Sequence, residues 1–382
     1  MKPVAVITRG LTLAASLLLG ACSMFGSSAV KQKPADLAAI KSTTEIVQRW
    51  QASIGKAGEF VFTPARVGDS VFIAAKNGSL ARYDKGREAW RISVGQDLSG
   101  GVGADAKLVV VGTAKGQVLA FSAESGKPAW KAAASSEILA APAVAEGMVV
   151  VRSGDARIFA FEAADGKRRW VYQRTTPSLS LRSHVGVVIA ERLVLAGFPG
   201  GKMVALANGN GVTMWELTVA QPKGSTELER IADLSSPPVM AGREVCAVAY
   251  QGRVACFDAG NGTQLWSRDI SSSTGLDMDA KALFVSDEKG AVQAFDRNTG
   301  ASLWKQDKLF LRGVSRPLLL GNYVAVADYE GVVHLLSRED GSFAARFKTD
   351  GSAIVADPQR GEAPGDFIVQ TKDGSVYGLG LR

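Results

Sequence analysis

Along most of the chain, short apolar runs of strand length alternate with polar turns built on glycine. Leu108-Val-Val-Val-Gly112 is followed by a turn around Lys115-Gly116, then Gln117-Val-Leu-Ala-Phe121, a turn around Ser125-Gly126, and Ala129-Trp130. The same order recurs with Arg157-Ile-Phe-Ala-Phe161, Val254-Ala-Cys-Phe257 and Val292-Gln-Ala-Phe295 as the middle run. In five places the glycines bounding this run stand ten residues apart, at 116/126, 201/211, 252/262, 290/300 and 331/341. Period-two runs of Val, Ile and Phe between Gly, Asn and Asp turns are strands, and no segment sustains the 3.6-residue period of a helix. The pattern predicts an all-β chain.

The repeat can be measured on its tryptophans, at 50, 90, 130, 170, 215, 266 and 304, with gaps of 40, 40, 40, 45, 51 and 38 residues. A period near 40 fits a four-stranded propeller blade or a helical pair, and the strand pattern selects the blade. Each unit reads as strand, turn, strand, turn and Trp-bearing strand, with a short run after the tryptophan, such as Leu139 to Val144, as its fourth strand. After Trp304 the next slot falls on Ala345, four residues beyond Gly341. Eight slots result. Trp50 lacks the preceding glycine turn, and the hairpin around Asp373-Gly374 near the C-terminus lacks a tryptophan partner. The two halves complete one blade, so an eight-bladed β-propeller of four-stranded antiparallel blades is expected, closed by pairing the N-terminal strand with C-terminal strands and leaving no open sheet edge between them.

The box in Phe257-Asp258-Ala-Gly-Asn-Gly262-Thr-Gln-Leu-Trp266 and Phe295-Asp296-Arg-Asn-Thr-Gly300-Ala-Ser-Leu-Trp304 resembles the tryptophan-docking repeat of pyrroloquinoline-quinone enzymes. That resemblance implies a structural role for the rings, which stack between neighbouring blades. WD-type propellers fit less well, because the chain has only two histidines and cannot supply a Gly-His pair per blade. A dehydrogenase of the quinone class would carry two adjacent cysteines, calcium ligands and a catalytic Asp. The cysteines here are Cys22, Cys246 and Cys256, and His184 and His334 stand apart from them and from each other. No grouping has metal-ligand or Ser/His/Asp spacing, so no catalytic residue, metal or cofactor is expected. A binding scaffold is the reading, with a periplasmic quinoprotein dehydrogenase as the alternative.

The first segment is read as an address. Lys2 and Arg9 precede the apolar run Leu11 to Leu19, too short to span a bilayer, and Leu19-Gly20-Ala21-Cys22 resembles a bacterial lipobox. The resemblance implies removal of residues 1–21, acylation of Cys22 (palmitate among the chains), and a lipid anchor. Ser23 stands where Asp would resemble an inner-membrane retention signal, so the periplasmic face of a Gram-negative outer membrane is implied. Residues 22–40 read as the acylated cysteine and a flexible tether, and 41–382 as the propeller. Without Lys2 and Arg9 the formal charge of +7 falls to +5. With no basic run longer than Lys167-Arg168-Arg169, this argues against nucleic acid as a partner.

The two longest tryptophan gaps, 170 to 215 and 215 to 266, hold extra residues in consecutive repeats. Two enlarged loops should therefore lie side by side on one face, where function on a rigid scaffold usually resides. From the lipobox to the C-terminus, and specifically at Trp50-Gln-Ala-Ser-Ile-Gly55, Pro177-Ser-Leu-Ser-Leu-Arg182 and Arg230-Ile-Ala-Asp233, the chain resembles the lipoprotein propellers of the outer-membrane β-barrel assembly (BAM) complex. That family implies a non-enzymatic subunit that binds a POTRA domain of the barrel protein BamA beside other BAM subunits. It would assist folding and insertion of outer-membrane β-barrel proteins, with unfolded clients as further partners. Matching positions implicate Leu179, Leu181, Arg182 and Asp233 in partner binding, while a second acidic position of the family is Ser235 here. A pair of leucines could anchor in an apolar groove beside an arginine fork. The less favoured alternative is that Leu179 and Leu181 fill inter-blade core, with Arg182 and Asp233 paired internally. Cys246 and Cys256 flank a hairpin turn ten residues apart; one register places them opposite each other as a disulfide, and a one-residue slip separates them.

Overall fold

The computed structural model describes residues 32–382; the expected leader 1–21, the expected acylation site Cys22 and residues 23–31 of the expected tether lie outside the described residues. Among the described residues every regular element is a strand. They form eight sheets in chain order, and each is a blade of an eight-bladed propeller. Blade 1 spans residues 65–93, blade 2 100–133, blade 3 143–172, blade 4 187–218, blade 5 239–269, blade 6 275–306 and blade 7 318–348. Blade 8 takes three strands from 359–381 and its outermost strand from Ile46–Ser53. Val47 lies opposite Gly380 and Ala52 opposite Val376 in that antiparallel seam. Blade 2 carries a fifth strand, the parallel pair of Val61–Phe62 with Gly100 and Gly101.

The phase of the repeat differs from the sequence pattern by one strand. The short run after each tryptophan opens the following blade: Ala143–Ala145 pairs with Met148–Arg152 as the first strand of blade 3. Blades 1 to 6 each end on their Trp-bearing strand at the rim, and the chain then crosses to the centre to begin the next. Middle strands are covered on both faces by neighbouring blades, so every residue of Leu108–Gly112 is buried. Outer strands such as Pro128–Ala133 keep the alternation of a half-exposed sheet.

The glycine-tryptophan box joins blades rather than strands of one blade. The indole N–H of Trp90, Trp130, Trp170, Trp215, Trp266 and Trp304 each donates to a main-chain carbonyl of the next blade, on Ala123, Ala163, Asn208, Ala259, Arg297 and Arg338 at 2.6–3.1 Å. The turn glycine of that next blade lies flat on the ring. A Cβ on Gly300, whose φ is +66°, would stand 2.4 Å from Cε3 of Trp266, so both the left-handed backbone and the close approach call for glycine. Trp50 packs on Gly86 in the same way and stacks on Tyr83. Gly262 departs from the rule and meets Leu217. At the Ala345 slot, Phe347 and Tyr377 meet edge to face at 6.0 Å between blades 7 and 8.

Residues 35–43, most of which the sequence pattern places in the tether, lie against blade 7 and the connection leading into it. The Ala35 N–H donates to the Phe310 carbonyl and the Thr43 N–H to the Ala344 carbonyl, both at 2.9 Å, while Leu37 packs on the cluster holding Trp304 and Leu309. A buried polar network holds this segment. Arg312 donates to Asp328 at 2.7 Å and to the Ala35 carbonyl at 3.0 Å, and Arg346 donates to the Ala38 carbonyl. Arg346 also donates to Nδ1 of His334 at 3.2 Å, which leaves Nε2–H to donate to Asp328 at 3.0 Å and makes the ring neutral. In blade 5, Cys246 and Cys256 are directly opposite in register with their sulfurs joined at 2.00 Å.

Candidate docking face

Two connections between blades are enlarged, residues 173–186 from blade 3 to blade 4 and residues 219–238 from blade 4 to blade 5. They touch through one carboxylate. Asp233 on the second loop accepts the Leu181 N–H of the first at 2.6 Å with one oxygen, and the Gly200 N–H of the blade 4 hairpin at 3.0 Å with the other. Its main-chain carbonyl accepts the Tyr250 N–H at 2.8 Å. Neighbours Ala232 and Leu234 are buried in the core shared by blades 4 and 5, which drives Asp233 inward between them.

The tip of the second loop is locked by its own sequence. Thr226 and Glu229 cap each other: the Glu229 carboxylate accepts the N–H groups of Ser225 and Thr226, and the Thr226 hydroxyl accepts the Glu229 N–H. Those backbone N–H groups hold the Glu229 carboxyl below the usual carboxylate range. Leu228 is thereby presented to solvent, 68% exposed.

The structure separates the four expected contact residues into two kinds. Leu179 is 45% exposed on its loop, and the Arg182 side chain is 59% exposed. Leu181 is half-buried. Asp233, expected at the contact surface, is only 3% exposed, with both oxygens engaged inside the chain. Arg182 does not pair with it; the guanidinium instead forks onto Glu137, Nε to one oxygen at 3.2 Å and Nη2 to the other at 2.8 Å. Glu137 raises the basicity of Arg182 and sets the direction of its fork. The Ser235 hydroxyl donates to the Ser272 carbonyl at 3.1 Å, a bond that a carboxylate at this position could not make.

Glu137 and Leu228 complete this surface, and the sequence pattern points to neither. Toward the ring centre the same face opens into a cavity of about 490 Å³ reached by Leu181, Arg182 and His184 from the first loop and by Ser235 from the second. Burial lowers the His184 pKa and favours the neutral ring. Across that cavity Arg316 faces Asp357 at 3.6 Å, and burial raises the Asp357 carboxyl despite the arginine. Among the described residues one group of metal-ligating side chains clusters, Glu244 with Cys246 and Cys256, and its sulfurs are bonded to each other.

A family profile described as "Outer membrane protein assembly factor BamB" matches residues 76–306 and 292–380. An outer membrane protein assembly factor BamB of Burkholderia pseudomallei is 43% identical over 372 residues, covering 97% of this chain and 96% of that protein. The BamB of Escherichia coli K12 is 32% identical over 378 residues, covering 95% and 96%. Among solved structures, BamB from Moraxella catarrhalis superposes with a TM-score of 0.82 at 28% identity, over 88% of this chain and all of that one. A quinohemoprotein alcohol dehydrogenase from Comamonas testosteroni reaches 0.70 at 13% identity, over 88% of this chain and 76% of its own, a likeness of fold alone. The chain belongs to the BamB family of outer membrane protein assembly factors.

Proposed function

We propose that the chain is a non-enzymatic scaffold subunit of the BAM complex, anchored through an acylated Cys22 at the periplasmic face of the outer membrane. It docks a POTRA domain of BamA on the face built by residues 173–186 and 219–238 and so helps present unfolded β-barrel clients for insertion. The observation that carries this reading is the pairing of the two enlarged loops by Asp233 into one surface that leaves Leu179 and Arg182 exposed. Apolar anchors beside an oriented arginine are the composition of an interface centre. Asp233 serves by holding the loops, and Glu137 by aiming Arg182.

The test is co-purification. Leu179→Ala with Leu181→Ala and Arg182→Ala should abolish recovery of BamA from solubilised envelopes. Thermal unfolding should change little, since Leu179 and Arg182 are exposed and Leu181 is held through its main chain. Undiminished recovery of BamA would refute the assignment of this face.

A further inference from the structure

Beneath the first loop lies a second, smaller cavity of about 220 Å³, which shares Leu181, Arg182, Ser183 and Val185 with the central one and adds Arg152 and Asp155. Its charged lining is Glu137, Arg152, Asp155 and Arg182. Three of these charges are matched within the chain. Glu137 and Arg182 hold each other. Asp155 faces Arg157 at 3.3 Å and accepts the hydroxyls of Ser135 and Ser153.

Arg152 is the exception. It ends the strand Met148–Arg152, and one Nη donates to the Gly197 carbonyl at 2.6 Å. Its plane lies 5.2 Å from the centre of the Phe198 ring, with Arg174 also against that ring at 5.7 Å. No carboxylate reaches its hydrogen-bonding distance among the described residues. The compensating charge that acts on it is Asp233, whose oxygens are already filled by the Leu181 and Gly200 N–H groups. Burial pulls the guanidinium down to about 10, so it is a cation at neutral pH, half-buried at the end of its strand and without an ion pair. The hydroxyls of Thr176, Ser180 and Ser183 line the same cavity and make no hydrogen bond within the described residues. The cavity thus offers a cation held rigid by stacking and three unspent donors.

We propose that this cavity binds a carboxylate, received by the free N–H groups of Arg152 and by the hydroxyls around it. A monoanionic planar group suits the guanidinium fork. A phosphate dianion suits it less, because Glu137 and Asp155 share the wall and would repel a second negative charge. Two sources have this chemistry, a free carboxylate that enters from solvent and an Asp or Glu side chain of a protein seated on the loop. The site itself does not depend on the docking reading above.

Acetate is the probe for the first arm, titrated at constant ionic strength against chloride, with binding read by chemical-shift changes of amides in residues 176–183 and by thermal unfolding. Saturable shifts are expected in the wild-type chain. Arg152→Gln should weaken acetate by about tenfold or more, the scale of losing one hydrogen-bonded charge. Arg152→Lys, which keeps the charge and loses the fork, should fall between and also serves if the glutamine variant folds poorly. Equal acetate responses in all three proteins, or shifts confined to other residues, would overturn the proposal. In the second arm, affinity for the isolated POTRA region is compared between wild type and Arg152→Gln. A loss that vanishes when one acidic residue of the POTRA region is changed to its amide assigns the site to a protein side chain. Unchanged affinity together with lost acetate binding assigns it to a free carboxylate. If the wild-type chain does not bind the POTRA region at all, the docking reading fails while the acetate arm still decides the cavity.

Discussion

Replacing Asp233 by Asn should loosen the chain's own loops before it affects any partner. The carboxylate is 3% exposed and accepts two N–H groups, from Leu181 at 2.6 Å and from Gly200 at 3.0 Å. An asparagine keeps one acceptor and turns an NH2 group toward the other N–H, so one bond is lost and two donors face each other. Hydrogen bonds to a charged group contribute about 1.5–3 kcal/mol each, and the substitution should cost about 2–3 kcal/mol of local stability. At 1.4 kcal/mol per factor of ten, the Leu181 and Gly200 amides should exchange with solvent about 30- to 150-fold faster. The Tyr250 amide, bonded to the Asp233 main-chain carbonyl, reports whether the backbone stays in place, and Ala325 in blade 7 is a distant control. Binding to BamA should weaken only as far as the loops have lost order. Unchanged exchange at Leu181 and Gly200 combined with abolished binding would refute the argument and return Asp233 to the contact surface.

Two other outcomes follow from the fold. Gly300→Ala and Gly321→Ala both place alanine at positive φ, +66° and +64°, but a Cβ at Gly321 meets nothing within 4 Å whereas that at Gly300 strikes the Trp266 ring. Both should lose about 1–2 kcal/mol to the backbone, and Gly300→Ala about 1–3 kcal/mol more to overpacking; coincident urea midpoints would contradict the docking role of the glycine. Burial lowers the His334 pKa even though Asp328 favours the charged ring, while Arg346, Arg312 and the Phe343 ring complete its surroundings. The unfolded chain therefore takes up this proton first, and stability present above about pH 6.5 is lost as pH falls toward the folded value. Asp328 adds a loss of the same sign at lower pH, since burial is outweighed by hydrogen bonds from His334, the Val332 N–H and Arg312 that hold its carboxyl below its ordinary value. His334→Gln should flatten the decline between pH 7 and 5 in urea-midpoint measurements, and parallel wild-type and variant slopes would refute the assignment.

The number of blades is legible in the sequence because every blade but blade 7 contributes a tryptophan to a contact with its neighbour, and that contact fixes their spacing. Blade phase is not, because the run after a tryptophan has the same apolar character whether it ends one sheet or begins the next; only the pairing of Ala143–Ala145 with Met148–Arg152 decides. The two loops can be found from gap lengths alone. The burial of Asp233 is not legible, because its second hydrogen-bond partner, Gly200, comes from the preceding hairpin and no local pattern announces it. Leu228 is hidden among Glu227, Glu229 and Arg230, and becomes prominent only once the cap at Thr226 turns it outward. Arg152 follows four buried residues in a strand, where its stacking on Phe198 comes from the next blade.

A ring of blades explains how the proposed docking face is accommodated on this fold without disturbing it. Each connection from rim to centre joins ends already fixed by the two sheets, and lengthening such a loop adds closure entropy only logarithmically. Two consecutive connections could therefore grow while the Trp and Gly contacts between blades remained intact. Extra length by itself would leave mobile loops, and a partner would have to order them on binding at a cost in affinity. The polar contacts of this face remove that mobility in advance: Asp233 ties loop to loop and to the blade 4 hairpin, Thr226 and Glu229 lock the tip, and Glu137 aims Arg182. Each fastening lies within the chain, so Asp233, which the sequence places at the contact surface, acts with Glu137 and Glu229 as an internal support. On the proposed docking face, what is left for a partner is Leu179, Leu228 and the outer edge of Arg182, exposed groups whose order is already established within the chain.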